Sequence, residues 1–242
     1  MCGRYAAAKD TARLVEEFQV ETVVEPAPDP NFNVAPTNRV AFIVDRSVDD
    51  GPVQRQLRSA RWGLVPSWAK DPKIGSRMIN ARWENAAEKP AFRSAFAKRR
   101  CLIPADGYFE WYAPAAVEGA AKPRKQPYFI HRADGADLAL AGLYEFWRPT
   151  PDDEWLVTVT VLTTASAGPL APIHDRMPVV IDRAGYREWL DPTARVDPGF
   201  DALLAPSVLT AYPVSTAVNS VRNNSADLLV PIPAEPPLEE PT

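Results

Sequence analysis

Residues 138–147, LALAGLYEFW, and 155–164, WLVTVTVLTT, decide the fold of this chain. Both are dense in aliphatic, aromatic and β-branched residues, and a proline- and acid-rich turn, not a helix, separates them. Working outward, the same composition recurs in VAFIV (40–44), RRCLIP (99–104), GYFEWY (107–112), PYFIHR (127–132) and MPVVI (177–181). VQRQLRSARWGLV (53–65) alternates residue types at period two and predicts a half-exposed strand with its arginines on one side, after a turn at VDDG (48–51). Helical pieces are few. TARLVEEFQV carries Leu14, Val15 and Phe18 at helical spacing, with Thr11 as a candidate cap after Asp10. The others are residues 84–100, broken near Pro90, then AGYREWL (184–190) and PGFDALLA (198–205). With no strand–helix–strand alternation and no repeat, the expected class is α+β: a mainly antiparallel, barrel-like β core with short flanking helices.

EPAPDPNFNVAPTN (25–38) is too rich in proline for a helix or central strand and reads as a loop. Residues 113–125 read as a loop insertion between strands. The last twelve residues hold five prolines and three glutamates and predict a disordered tail at 231–242, leaving one domain over 1–230. At 242 residues and 46% hydrophobic content the chain can bury a sizeable core. No apolar run approaches the roughly 18 residues of a membrane span. The first thirty residues carry acids and prolines where a signal peptide needs an apolar stretch. The expectation is a soluble, cytoplasmic protein without a membrane partner, whose Cys2 and Cys101 stay reduced.

A net charge of −4 argues against binding nucleic acid through bulk positive charge. Its distribution is uneven, however: between Arg55 and Arg100 twelve Lys and Arg face three acids, Asp71, Glu84 and Glu88. Such a window fits either a basic groove on an acidic body or a solvated face.

Cys2 follows the initiator methionine directly, in MCGRY. Removal of Met1 would leave an α-amine, with a reference pKa of about 7.7 to 8.0, beside a thiol of about 8.5 on the adjacent carbon. An aldehyde meeting that pair forms an imine with nitrogen and closes a five-membered thiazolidine through sulfur; a retained Met1 blocks the reaction. His174, in the proline-flanked turn APIHDRMP, suits acid–base work or a loop hydrogen bond to Asp175. His131 reads as a structural or surface residue. Cys2, Cys101, His131 and His174 show no close ligand pair at a zinc spacing, so neither metal nor cofactor is expected. Glu110 alternates with Tyr108 and Trp111 on an aromatic strand and lies either on a polar face or in a pocket that raises its proton affinity. Asn80 offers a neutral donor and acceptor, and Arg82 a fork for phosphate. Of Trp62 and Trp68, one belongs to a core, and an exposed one beside cations would stack on bases.

In order along the chain, MCGRY, NVAPTN, RWGLVPSWA, INARWEN, CLIPADGYFEWY, IHDRMPVVI and VNSVRNNSADL resemble the SRAP family, the SOS-response-associated peptidase domain. The resemblance implies a covalent trap for the aldehyde of an abasic nucleotide in single-stranded DNA. Cys2 would be the nucleophile, with Asn80, Glu110 and His174 sensing and stabilising the opened sugar. It further implies phosphate contacts from Arg4, Arg82 and Arg176, base packing by Pro36 and Trp68, self-cleavage ahead of Cys2, and lyase-type strand cleavage through the imine. The protein would act as a monomer, nucleoid-associated when bound to DNA. Trp83 and Asn85 depart from the smaller residue and threonine usual in that motif. Two other readings share the same features: an N-terminal-nucleophile cysteine amidohydrolase, and a non-covalent binder of single-stranded DNA.

Overall fold

A computed structural model describes residues 2–47, 51–114, 124–194, 196 and 208–233. The VDDG turn, the 113–125 insertion, the PGFDALLA helix and the acidic tail lie wholly or largely outside the described residues. In chain order the strands are β1 (Tyr5–Ala7), β2 (Thr22–Val23), β3 (Asn31–Val34), β4 (Arg39–Ser47), β5 (Val53–Trp62), β6 (Asn80–Arg82) and β7 (Arg100–Ala105). They continue with β8 (Gly107–Tyr112), β9 (Gln126–Arg132), β10 (Leu138–Trp147), β11 (Leu156–Ala165), β12 (Arg176–Pro178) and β13 (Leu209–Pro213). The helices are short: α1 (Thr11–Phe18), α2 (Trp83–Ala86), α3 (Arg93–Lys98) and α4 (Tyr186–Leu190).

The α+β expectation holds, and its barrel-like core has a definite closure. Strands β5, β4, β7, β10 and β11 pair antiparallel in that order. The ring closes where Thr158 and Val159 of β11 run parallel to Arg61 and Trp62 of β5. β6 continues the β5 edge of β11 in parallel through Val161 and Asn80, and β12 continues the opposite, β10 edge, so that Thr163 pairs with both. A second sheet, ordered β13, β9, β8, β1, β3, lies over one face of this ring.

Strand alternation sorts side chains into separate cores. On β4, Val40, Phe42 and Val44 join a cluster shared with the second sheet, which contains Cys2, Tyr5, Trp62, Cys101 and Tyr108. Ile43 points the other way, into a cluster capped by helices through Leu14, Phe18, Phe96 and Trp189. On the far side of the second sheet, Ala6, Phe109 and Phe129 pack on Val214, Val218 and Leu228. The two long runs at 138–147 and 155–164 match β10 and β11 closely because both are covered on both faces.

Three local expectations change. The strand at 53–62 is not half-exposed: Gln56, Leu57, Ser59, Ala60 and Trp62 are all buried, since one face enters the core shared with the second sheet through Ala60 and Trp62 and the other enters the helix-capped core through Leu57. Its arginines therefore split, Arg55 and Arg61 on one face and Arg58 on the other. The NFNV segment of the proline-rich loop forms β3, an edge strand free of proline that pairs with β1. Asp10, not Thr11, caps α1 by accepting the Arg13 amide, while Thr11 Oγ1 accepts from Ala27 N.

Asp137 ends the loop before β10, nearly buried, with Lys9 Nζ at 3.6 Å. Burial raises its pKa from 3.8 to about 6, against the opposing pull of Lys9. A raised carboxyl contributes stability that is complete below the unfolded pKa and is lost as pH climbs through the folded one. Asp137→Asn is therefore expected to stabilise the protein at pH 7.5 by about 1–2 kcal/mol, with the gain vanishing near pH 4. Denaturant titrations of both proteins across pH 4–8 check it; a pH-independent difference would contradict it.

Candidate active site

Four residues distant in sequence converge at the chain start. The antiparallel register that sets Tyr5 opposite Tyr108 carries Glu110 alongside the residues just before Tyr5. The Phe109 amide donating to the Arg4 carbonyl at 2.9 Å extends that ladder. Cys2 is fully buried. From the ring, β6 delivers Asn80, whose Nδ2 donates to the Cys2 carbonyl at 2.8 Å. The turn before β12 supplies His174, whose Nε2 lies 3.9 Å from Glu110 Oε2. Asp175 Oδ1 is 2.8 Å from its Nδ1, the loop contact expected of this turn, and the Arg176 amide donates to that nitrogen at 2.9 Å.

Glu110 sits in a pocket, its side chain 4% exposed. Burial raises its pKa, and His174 offsets this in part. Burial and then the Glu110 carboxylate push the Cys2 thiol far above its ordinary range. The sulfur thus rests protonated.

Trp62 ties the surroundings to this centre. Buried, it packs edge-on against Tyr5 with ring centroids 5.1 Å apart, and its Nε1 donates to the Ile79 carbonyl next to Asn80 at 2.9 Å. Its carbonyl accepts from Thr37 N at 2.8 Å, which holds the turn bearing half-buried Pro36. Thr37 adopts a left-handed φ of 73° there. Trp68, six residues on, is 60% exposed, so the two tryptophans divide into one core and one surface residue. Its loop is pinned where Trp147 Nε1 donates to the Ala69 carbonyl at 2.7 Å. Gly63, at φ +121°, lets the same loop pass so close to Gly75 that a Cβ would lie 2.5 Å from the Gly75 carbonyl oxygen.

The arginines behave differently from one another. Arg82 is exposed, two residues from Asn80 on the same strand. Arg4 is half-buried, donating to Asn33 Oδ1 at 2.7 Å and the Val218 carbonyl at 2.9 Å. Arg176 grips Glu84 through both carboxylate oxygens at 2.7 and 2.9 Å, and this holds Glu84 down at about 2. Part of the basic window serves the fold instead of a groove. Arg55 pairs with Asp45, Arg99 with Glu145, and buried Arg100 donates to backbone carbonyls including those of Phe96 and Trp189.

Sequence reasoning passed over Asn33, whose Nδ2 gathers the carbonyls of Val218, Ser220 and Asn223, and Glu84, the partner of Arg176. Only Glu84 carried a signal, as one of three acids in a strongly basic window. His131 stacks on Phe129 and meets Tyr212 edge-on, a structural role.

Similarity to known proteins extends over most of the chain. Abasic site processing protein YoqW of Bacillus subtilis (strain 168) is 39% identical over 234 residues, 95% of this chain and 99% of that protein. Abasic site processing protein YedK of Escherichia coli (strain K12) is 31% identical over 96% of this chain and all of its own length. Abasic site processing protein HMCES of Gallus gallus is 32% identical over 99% of this chain and 80% of that protein. Among solved structures, a protein from Bacteroides thetaiotaomicron superposes with a TM-score of 0.77 at 24% identity, covering 96% of this chain and 100% of that one. One from Bordetella bronchiseptica does so at 0.69 and 30% identity, covering 88% and 100%. The family model described as SOS response associated peptidase (SRAP) matches residues 1–221, so the chain belongs to the SRAP family.

Proposed function

We propose that this protein processes abasic sites by trapping their aldehyde covalently in single-stranded DNA, through Cys2 after loss of Met1. The observation that carries the reading is the meeting of Cys2, Asn80, Glu110 and His174 at one buried point, in a chain whose relatives bear the name abasic site processing protein.

The chemistry follows from these groups. His174 assists opening of the closed sugar, which exposes the aldehyde. The Cys2 amine adds to the carbonyl carbon and its proton passes to the new oxygen, giving a carbinolamine; protonated Glu110 then gives its proton to that hydroxyl, which leaves as water while the nitrogen lone pair forms the iminium. The thiol then yields its proton to the Glu110 carboxylate while sulfur bonds to the iminium carbon, and the π electrons return to nitrogen. Asn80 holds the Cys2 carbonyl so that amine and thiol stay aimed together. Self-cleavage ahead of Cys2 and strand cleavage from the iminium use the same groups. Arg82 and Trp68 supply a phosphate fork and a stacking face on the exposed side.

The test is incubation of the processed protein with single-stranded oligonucleotides that carry either an abasic site or an intact base. A denaturant-resistant adduct on the abasic strand alone supports trapping. Turnover of an amide substrate without adduct favours the amidohydrolase reading, and retention of both strands without adduct favours a reversible binder. For the phosphate contact, Arg82→Ala is expected to weaken binding of single-stranded DNA and to flatten the slope of log affinity against log salt by about 0.7. An unaltered slope would remove Arg82 from the contacts.

A further inference from the structure

The floor of the Cys2 site carries two polar groups that the mechanism above does not use. Tyr5 and Tyr108 face each other across the β1–β8 pair, both 1% exposed, and pack in the same cluster as Cys2. Neither hydroxyl has a hydrogen-bond partner among the described residues, and both are within electrostatic reach of the Cys2 sulfur. Phenylalanine would fill either place without that deficit: a buried polar group left unpaired costs about 1–3 kcal/mol. Two such hydroxyls in the buried cluster that holds the sulfur call for an acceptor that appears during the reaction, and the sulfur becomes one when it loses its proton. We propose that Tyr5 and Tyr108 are positioning residues that hydrogen-bond the Cys2 sulfur in its thiolate form and so make ring closure possible in a buried pocket.

The surroundings support the direction. Of the groups that act on Cys2, Glu110 on β8 opposes a thiolate, while the terminal ammonium and the Arg4 backbone N–H favour it. Beyond them stand the neutral thiol of Cys101, within reach of Tyr5, and His174 past Glu110. The Arg4 guanidinium is turned away, towards Asn33 and Val218. No cationic side chain is aimed at the sulfur among these groups, which leaves the Arg4 amide and the two phenols as its donors. Burial holds both phenols far above their ordinary range, so each keeps its proton and remains a donor. In the closing step the thiol proton passes to Glu110, the C–S bond forms on the iminium carbon, and the tyrosine protons stay where they are.

This inference rests on the proposed trapping chemistry, and the experiment separates the two. Processed wild type, Tyr5→Phe, Tyr108→Phe and the double variant are reacted with formaldehyde and, in parallel, with the abasic oligonucleotide. Thiazolidine formation is followed by mass spectrometry from pH 5.5 to 9. Each single change is expected to slow closure about tenfold and to shift the rising limb of the pH–rate profile upward by about one pH unit. The thermal midpoint should stay level or rise, because the ring packing is kept and an unpaired hydroxyl removed. A double variant that closes at the wild-type rate with an unshifted profile overturns the tyrosine role while leaving trapping intact. A wild type that reacts with formaldehyde but not with the abasic strand overturns the trapping reading instead.

Discussion

Cys2→Ala is expected to abolish the denaturant-resistant adduct altogether while leaving binding of single-stranded DNA in place. Alanine keeps an α-amine, so an imine can still form, but it reverses in water because no sulfur is present to close the ring. Trp68 and Arg82, the proposed stacking face and phosphate fork, are on the surface and do not depend on the buried thiol. The change removes a small, fully buried group and costs about 1 kcal/mol of stability, too little to unfold a domain of this size. Borohydride reduction sharpens the result: it should rescue a permanent adduct in Cys2→Ala by fixing the imine. Failure of that rescue would mean that nitrogen is not the first nucleophile.

The second large effect belongs to Glu110. Glu110→Gln preserves shape but cannot exchange a proton, and should slow adduct formation by about 10²–10⁴-fold at neutral pH. The stability effect runs the other way. Folding raises this carboxyl's pKa by burial, so its stabilising contribution is complete below the unfolded pKa and lost as pH rises through the folded one. Once pH has passed the folded pKa, the ionised form is a burden that glutamine lifts. A slower reaction with an unchanged or higher melting temperature is the expected pair of results, measured by gel-resolved adduct kinetics and thermal denaturation. Wild-type kinetics would remove Glu110 from the proton path.

How much of this was legible before any coordinates depends on where each feature is encoded. β10 and β11 announce themselves because each is a long run covered on both faces, and composition alone carries that signal. β3 does not: four residues among prolines are strand only because β1 offers them an edge. The ring closure through Thr158 and Val159 beside Arg61 and Trp62 is a long-range parallel contact that no local pattern marks. The arginines of β5 show the same limit, since period-two reasoning presumes one solvated face and this strand has none.

The candidate site divides similarly. Cys2 was readable from its place in the chain and from titration chemistry. Asn80, Glu110 and His174 were readable as residue types in suggestive settings and, more firmly, through the family resemblance. That they converge required the β1–β8 register and the pairing of β6 with β11, which bring residues 2, 80, 110 and 174 together. The Arg176–Glu84 grip was not readable, because a charge count treats every basic residue as available. Nor were the two facing phenols: only the register shows that Tyr5 and Tyr108 share a face in the cluster that holds the sulfur.

Peptide mass mapping of the DNA adduct, after nuclease and protease digestion, bears on the central claim most directly. Trapping through a ring predicts a modified peptide that begins at Cys2, lacks Met1, and resists thiol alkylation because nitrogen and sulfur are both bound to the former aldehyde carbon. A linkage to a lysine, a modified peptide that retains Met1, or a Cys2 thiol that still takes up iodoacetamide after crosslinking would contradict it.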